Sequence, residues 1–247
     1  MWIKGNYRRN LMDMHIDDWN PEFLSKINVK EYVEALKDAG VQAAMVKGKP
    51  HTGLCYYPTK VGRMHWGLKG YDFFGDMVKT CHENGIAVIA YFTQIFDNWA
   101  YEEHPSWRLV TAEGKMMREY RHGEDFKSGR YGIVCPNNPE YREYVKACLT
   151  EMNTMYDFEG MFLDMTFFPE VCYCASCRER YKKETGKELP RKIDWKDPDW
   201  LDFVYRRDLW MAEYANFATA CVKAVKPDVT IEHQFSRITG GWVDGSS

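Results

Sequence analysis

Short apolar runs alternate with amphipathic stretches along most of the chain, which is the pattern of parallel strands joined by crossover helices. The first run, at 11–16, carries polar side chains at its end. Asn28 and Glu31 form a capping box for a helix through Asp38, stopped by Gly40, and a strand at 41–46 follows. A helix over 71–84 ends at Gly85 and delivers an almost wholly apolar strand at 86–92, as expected of a strand covered on both faces. Residues 93–137 hold Trp99 and Trp107 among many charges without a period, so they predict a loop too long for mere connection and hence functional. Asn138 caps a helix with Pro139 at its first position, reaching Tyr156. A fourth strand at 160–164 comes next, then a cysteine-rich loop and helix, a long helix over 199–226, and a fifth strand at 228–233. The last residues, 240–247, are loop-like.

This order predicts the α/β class and a (β/α)8 TIM-type barrel, incomplete in this chain at about five units, since a closed barrel takes about 250 residues or more. Residues 1–247 are expected to be one N-terminal catalytic barrel domain of a longer enzyme, with a zinc-binding loop at 135–177. With 45% hydrophobic and 28% charged residues the chain can bury a full core. A net charge of -3 gives no basic field, so neither nucleic acid nor an anionic membrane surface is an expected partner. The chain contains no apolar run of membrane-spanning length and starts without an apolar signal region, so a cytoplasmic protein is expected. Aromatic residues reach 15%, and such rings suit the apolar faces of sugars as well as ordinary cores.

Eight cysteines change the picture, because a reducing cytosol leaves thiols free unless a metal claims them. Cys172, Cys174 and Cys177 form a C-x-C-x-x-C cluster whose thiolates can converge on one tetrahedral ion, and Cys135 is the candidate fourth ligand. Four sulfur ligands leave no open position for water, so the expected ion is a structural zinc. Cys55, Cys81, Cys148 and Cys221 read as plain buried thiols.

In barrels of this type, catalytic groups stand at the carboxyl ends of strands. Asp164 ends strand four after four apolar residues, where a carboxylate costs desolvation energy unless it is used or paired. Similar polar ends occur at His15, Asp17 and Asp18, at Lys47, Lys49 and His51, at Tyr91 and Gln94, and at Glu232, His233 and Gln234. Any one of these can be a structural group, but five strand ends in a row point to a site.

The stretch Lys47-Gly48-Lys49-Pro50-His51-Thr52-Gly53, the following helix and the strand to Tyr91 resemble the corresponding part of α-L-fucosidases of glycoside hydrolase family 29. Those enzymes carry Lys-His-His-Asp-Gly-Phe after strand two; Lys49, His51 and Gly53 match, while Pro50 and Thr52 depart from it. The family's nucleophile is an Asp closing an apolar strand four, the place of Asp164. The cysteine pattern is similar to the metal site of family 42 β-galactosidases, although their Asn-Glu after strand four is replaced here by Met165-Thr166. Both features together resemble family 29-related glycosidases and the α-L-fucosidases of family 151.

The resemblance implies a retaining glycosidase, most simply an exo-acting, α-L-fucosidase-like one, acting on an oligosaccharide or glycoside. Such an enzyme needs two carboxyls about 5 to 5.5 Å apart. Asp164 is the expected nucleophile and Glu232 the expected general acid, with Glu102, Glu103 and Glu113 as other candidates for the acid. His15, Lys49, His51, Tyr91, Trp99 and His233 are expected substrate contacts. A β-galactosidase-like glycosidase, a non-catalytic carbohydrate-binding barrel and a metallohydrolase remain as alternatives, and the oligomeric state, a homo-oligomer included, stays open.

Overall fold

The computed structural model describes residues 2–116, 118 and 130–235, so the tail at 240–247 lies outside the described residues. The strands are β1 (Arg9–Leu11), β2 (Ala43–Lys49), β3 (Leu54–Cys55), β4 (Arg63–Met64), β5 (Ala87–Thr93), β6 (Gly160–Asp164) and β7 (Thr230–His233). The helices are α1 (Val29–Asp38), α2 (Phe73–Glu83), α3 (Asn98–Glu103), α4 (Pro139–Met155), α5 (Ala175–Thr185) and α6 (Pro198–Lys223). By packing, the described chain divides into two compact units. The first runs up to Thr93 and adds Ala147–Asp164 and Cys221–His233; the second comprises Gln94–Lys146, Met165–Ala220 and the segment from Gln234.

The first unit is built on a parallel sheet in the order β1-β2-β5-β6-β7. Residues in register share a face, and side chains alternate between faces along each strand. Leu11, Met45, Ile89, Gly160 and Thr230 therefore form one row, and Lys47, Tyr91, Phe162 and Glu232 the next row on the same face. Thr93 and Asp164 form a third, at the carboxyl edge. The opposite face carries Val46, Ala90, Phe92, Met161 and Leu163, all buried; α2 packs on β2 and β5, and α1 packs on α2. The rows thus separate an apolar face under helices from a face that turns polar toward its carboxyl edge.

Several local rules explain the elements. Asn28 Oδ1 accepts from the Glu31 N–H at 3.3 Å and starts α1, while Gly40 and Gly85, with φ of +66° and +69°, end α1 and α2 in the left-handed conformation glycine adopts at no steric cost. The strand expected at 11–16 is found at Arg9–Leu11. Beyond it, Asp13 and His15 turn their side chains to Lys47 instead of continuing the ladder. A register shift at Gly48 separates Lys47 from Lys49, and a Cβ on Gly48 would lie 2.4 Å from Met152 Cε, so the bulge depends on the missing side chain.

The second unit has its own core, in which Trp200, Phe203, Trp210, Tyr181 and Tyr214 pack with Ile133, Phe168 and four cysteines. The stretch expected to be loop contains α3 and isolated antiparallel bridges, among them Phe96 with Ile133 and Arg108 with Val134. No helix among the described residues is long and apolar enough to cross a membrane.

Candidate active site and cysteine cluster

Asp164 is 9% exposed at the end of β6. The Tyr91 hydroxyl donates to its Oδ2, and His51 Nε2 lies 3.7 Å from the same oxygen. His51 comes from the turn after β2, closed by the Gly53 N–H to the Pro50 carbonyl at 2.9 Å with Gly53 at φ +75°. Its Nδ1 is 2.9 Å from Thr93 Oγ1 and 3.4 Å from the Tyr91 hydroxyl. Met165, the residue after Asp164, has φ +59°, a left-handed conformation that side-chain-bearing residues rarely hold and that recurs at functional sites.

The Lys47 ammonium sits 3.2 Å from the centroid of the Tyr91 ring, with only 1% of its side chain exposed. Its partner is Asp13 Oδ1, at 2.8 Å, and the same oxygen lies 2.8 Å from His15 Nε2. The His51 backbone N–H donates to His15 Nδ1 at 3.0 Å, so a neutral His15 ring carries its proton on Nε2 and donates it to Asp13. The His15 and His51 rings stack at 4.0 Å between centroids. Burial pushes the Lys47 ammonium below its ordinary pKa, against the opposing hydrogen bond and charge of Asp13 and the charge of Asp164. Burial alone would raise Asp13, but Lys47 and His15 outweigh it and hold that carboxyl below the usual range.

The expected site residues are only partly brought together. His15, His51 and Tyr91 surround Asp164 and Lys47 as described. Lys49 is fully buried and stands level with Phe92, its ammonium 5.1 Å from that ring's centroid, because the Gly48 bulge moves it out of the row of Thr93 and Asp164. His233 is level with Leu163, on the face away from Asp164, and burial pushes it down to about 4. Trp99 belongs to the second unit, where its ring packs against His104 and Tyr144. Glu232 is exposed on the face of Asp164 but two residues short of its level. One strand spacing and a two-residue rise put their Cα atoms about 8 Å apart. In the second unit Glu102 is ion-paired with Arg118, and the Thr111 hydroxyl, 2.8 Å from Glu113, lowers that carboxyl's pKa. Neither environment favours a carboxyl that must hold a proton; Glu103 is simply exposed. Asp13 and Thr93 are the members sequence reasoning did not select, and Lys47, noted there only as a polar strand end, gains its place beside Tyr91 through the register of β2 with β5.

In the second unit, the sulfurs of Cys135, Cys172, Cys174 and Cys177 all lie within 4.8 Å of one another and all four residues are buried. Cys135 and Cys177 approach to 3.4 Å, too far for a disulfide and near the roughly 3.8 Å between sulfurs of a tetrahedral site with metal–sulfur bonds of about 2.3 Å. The donor set therefore fits a metal. Burial pushes the Cys135 thiol well up, while the Cys135, Cys172 and Cys177 thiols, donating to Cys174, hold it far down. Asn137 Nδ2 donates to Cys177 Sγ at 3.3 Å and accepts at Oδ1 from Arg180 at 3.0 Å, which fixes the orientation of the Cys177 side chain. Arg207, 1% exposed over the Phe168 ring, brings positive charge to Cys177 and Cys172.

A family model described as hypothetical glycosyl hydrolase 6 (GHL6) matches residues 28–165, from α1 through Asp164. The glycosyl hydrolase YngK of Bacillus subtilis (strain 168) is 24% identical over 223 residues, covering 81% of this chain and 38% of YngK. Among solved structures, α-L-fucosidase isoenzyme 2 from Paenibacillus thiaminolyticus has a TM-score of 0.77 at 24% identity, over 93% of this chain and 32% of that one. A β-galactosidase from the psychrophilic Marinomonas ef1 has a TM-score of 0.64 at 15% identity, over 91% and 36%. The chain thus spans about a third of the length of these proteins, and at such identities the structural likeness is one of fold.

The Asp13 contacts carry a pH signature. The carboxyl's folded pKa lies below its ordinary 3.8, so its pairing adds stability above that value and loses it as pH falls through the folded pKa. At neutral pH the protein should melt at a higher temperature than its Asp13→Asn variant, and the gap should close as the pH drops below 3.8. Melting curves of both proteins from pH 7 downward check this; a gap that ignores pH would show that the carboxylate's charge is not what Lys47 and His15 hold.

Proposed function

The chain belongs to the hypothetical glycosyl hydrolase 6 family, and from that premise we propose that the protein is a retaining, exo-acting glycoside hydrolase of the α-L-fucosidase type with Asp164 as its nucleophile. The observation that carries the proposal is the Asp164 carboxylate itself, at a strand's carboxyl end, held at one oxygen by Tyr91 and facing His51. In the first step Asp164 attacks the anomeric carbon while a general acid protonates the departing oxygen; in the second, water releases the sugar with the acid acting as base. The Tyr91 hydrogen bond fixes the carboxylate's rotamer, and the Lys47 charge favours its ionised form. Glu232 is the proposed acid: it is exposed on the same face, where a long side chain can reach toward a leaving group. His15, His51 and Tyr91 contact substrate hydroxyls. The five parallel strands are part of a (β/α)8 barrel, and the enzyme is cytoplasmic.

The four cysteines would hold one zinc. With four thiolates the ion has no position for water, so it supplies folding energy and no chemistry at the sugar. Arg207 and the Asn137 donor offset the negative charge of the thiolate set.

Asp164→Asn should lower kcat on an aryl glycoside by about four orders of magnitude while melting behaviour and metal content stay unchanged, because the amide cannot form the glycosyl ester. Assaying purified full-length enzyme against a panel of aryl glycosides tests this, and turnover near the native rate would end the assignment.

Glu232→Ala should cripple natural glycosides yet spare substrates with activated phenol leaving groups, and azide should restore rate by entering the vacated space and attacking the anomeric carbon of the glycosyl-enzyme, releasing the Asp164 carboxylate and a glycosyl azide. Equal loss on all substrates without azide rescue would exclude Glu232 as the acid.

Metal analysis should find one zinc per chain, lost together with thermal stability in Cys135→Ser. A zinc content near zero, or a Cys135→Ser protein that keeps its metal, would remove the zinc assignment.

A further inference from the structure

Asp13 has a place in the first unit that a counter-ion alone does not require. It lies two residues past Leu11, which shares the face of Met45, and its side chain reaches Lys47, in the row of Tyr91 and on the face of Asp164. A buried ammonium needs an opposite charge, because leaving it unpaired in the interior costs several kcal/mol. Most buried ammonium groups would be matched by a carboxylate buried with them. Here the Lys47 side chain is 1% exposed and that of His15 8%, but the Asp13 side chain is 66% exposed. Both buried groups hold the same oxygen, Oδ1, and among the described residues Oδ2 has no partner.

We propose that Asp13 is a specificity-determining residue: its exposed carboxylate, held by Lys47 and His15, accepts hydrogen bonds from hydroxyl groups of the sugar whose anomeric carbon faces Asp164. This rests on the glycosidase reading and names the ligand chemistry of the same site, a neutral sugar with one hydroxyl or an adjacent pair. A carboxylate is an acceptor only, with about four lone-pair directions, so it distinguishes a hydroxyl from hydrogen at one ring position. Fixing Oδ1 in advance removes the ordering cost that a freely rotating surface carboxylate would bear on binding. The ion pair also keeps the group ionised at neutral pH, which makes each accepted hydrogen bond charge-assisted.

The test measures sugar binding, so it does not depend on turnover. Affinities of methyl fucoside and methyl galactoside, and of the deoxy analogue at each ring position, are measured by calorimetry on full-length Asp164→Asn protein, where the glycoside stays intact. The same series is repeated with Asp13→Ala added, and again with Asp13→Ala and Lys47→Met together, which leaves no ammonium buried alone. One deoxy analogue should bind about tenfold or more weakly to protein that has Asp13, and that penalty should vanish in both Asp13-less proteins. Such a coupling is not produced by a merely structural role, which would weaken all analogues alike. A uniform loss, or a deoxy penalty that survives removal of Asp13, overturns the proposal, and so does the absence of any sugar binding. If the coupling is found but Asp164→Asn still hydrolyses aryl glycosides at the native rate, the nucleophile assignment fails and the Asp13 contact stands.

Discussion

The first unit is organised around an ammonium group that cannot stay alone. Lys47 lies in the second row of a parallel sheet, where its stem is enclosed and its charge has lost most of its water. Desolvating an ammonium costs several kcal/mol, so the surroundings must return that energy through opposite charge and an aromatic face. Asp13 supplies the charge and the Tyr91 ring the face. The rest follows from those two contacts. Asp13 leaves the strand ladder after Leu11 to reach Lys47, His15 joins the same oxygen, and the His51 N–H fixes the other nitrogen of His15. Tyr91, under the ammonium, directs its hydroxyl at Asp164.

A different constraint orders the second unit. Four thiols drawn together in an aromatic core are a poor arrangement for neutral sulfur, because a thiol is only a weak hydrogen-bond donor and acceptor. Such a cluster becomes favourable when a cation replaces the shared protons. The surrounding Trp200, Phe203 and Trp210 give bulk, and Asn137 and Arg180 give orientation. The unit thus depends on side chains that converge from Cys135 and from the Cys172–Cys177 turn, far apart in sequence.

The family match and the site geometry meet at β6. The matched stretch takes in β2, β5 and Asp164, the strands that supply Lys47, Tyr91 and the carboxylate. Asp13 and His15 precede that stretch, and three of the four cysteines follow it.

Hydropathy patterning by itself determined the α/β class, the order of the five sheet strands and of every helix but α3, and Asp164 as the carboxylate at the end of an apolar strand, because each is a local property of period and punctuation. The end of α1 at Gly40, the cap at Asn28 and the strand at Gly160–Asp164 were legible for the same reason. The cysteine spacing was legible too, since three thiols within six residues have few other uses. Tertiary structure alone decided which polar strand-end residues share a face. A bulge at Gly48 reverses the parity of Lys49, and register with Leu163 turns His233 away from Asp164, and neither pairing partner lies near in sequence. Likewise the end of β1 at Leu11 was set by Lys47 more than thirty residues on, a long-range charge contact that a local pattern of apolar residues does not encode.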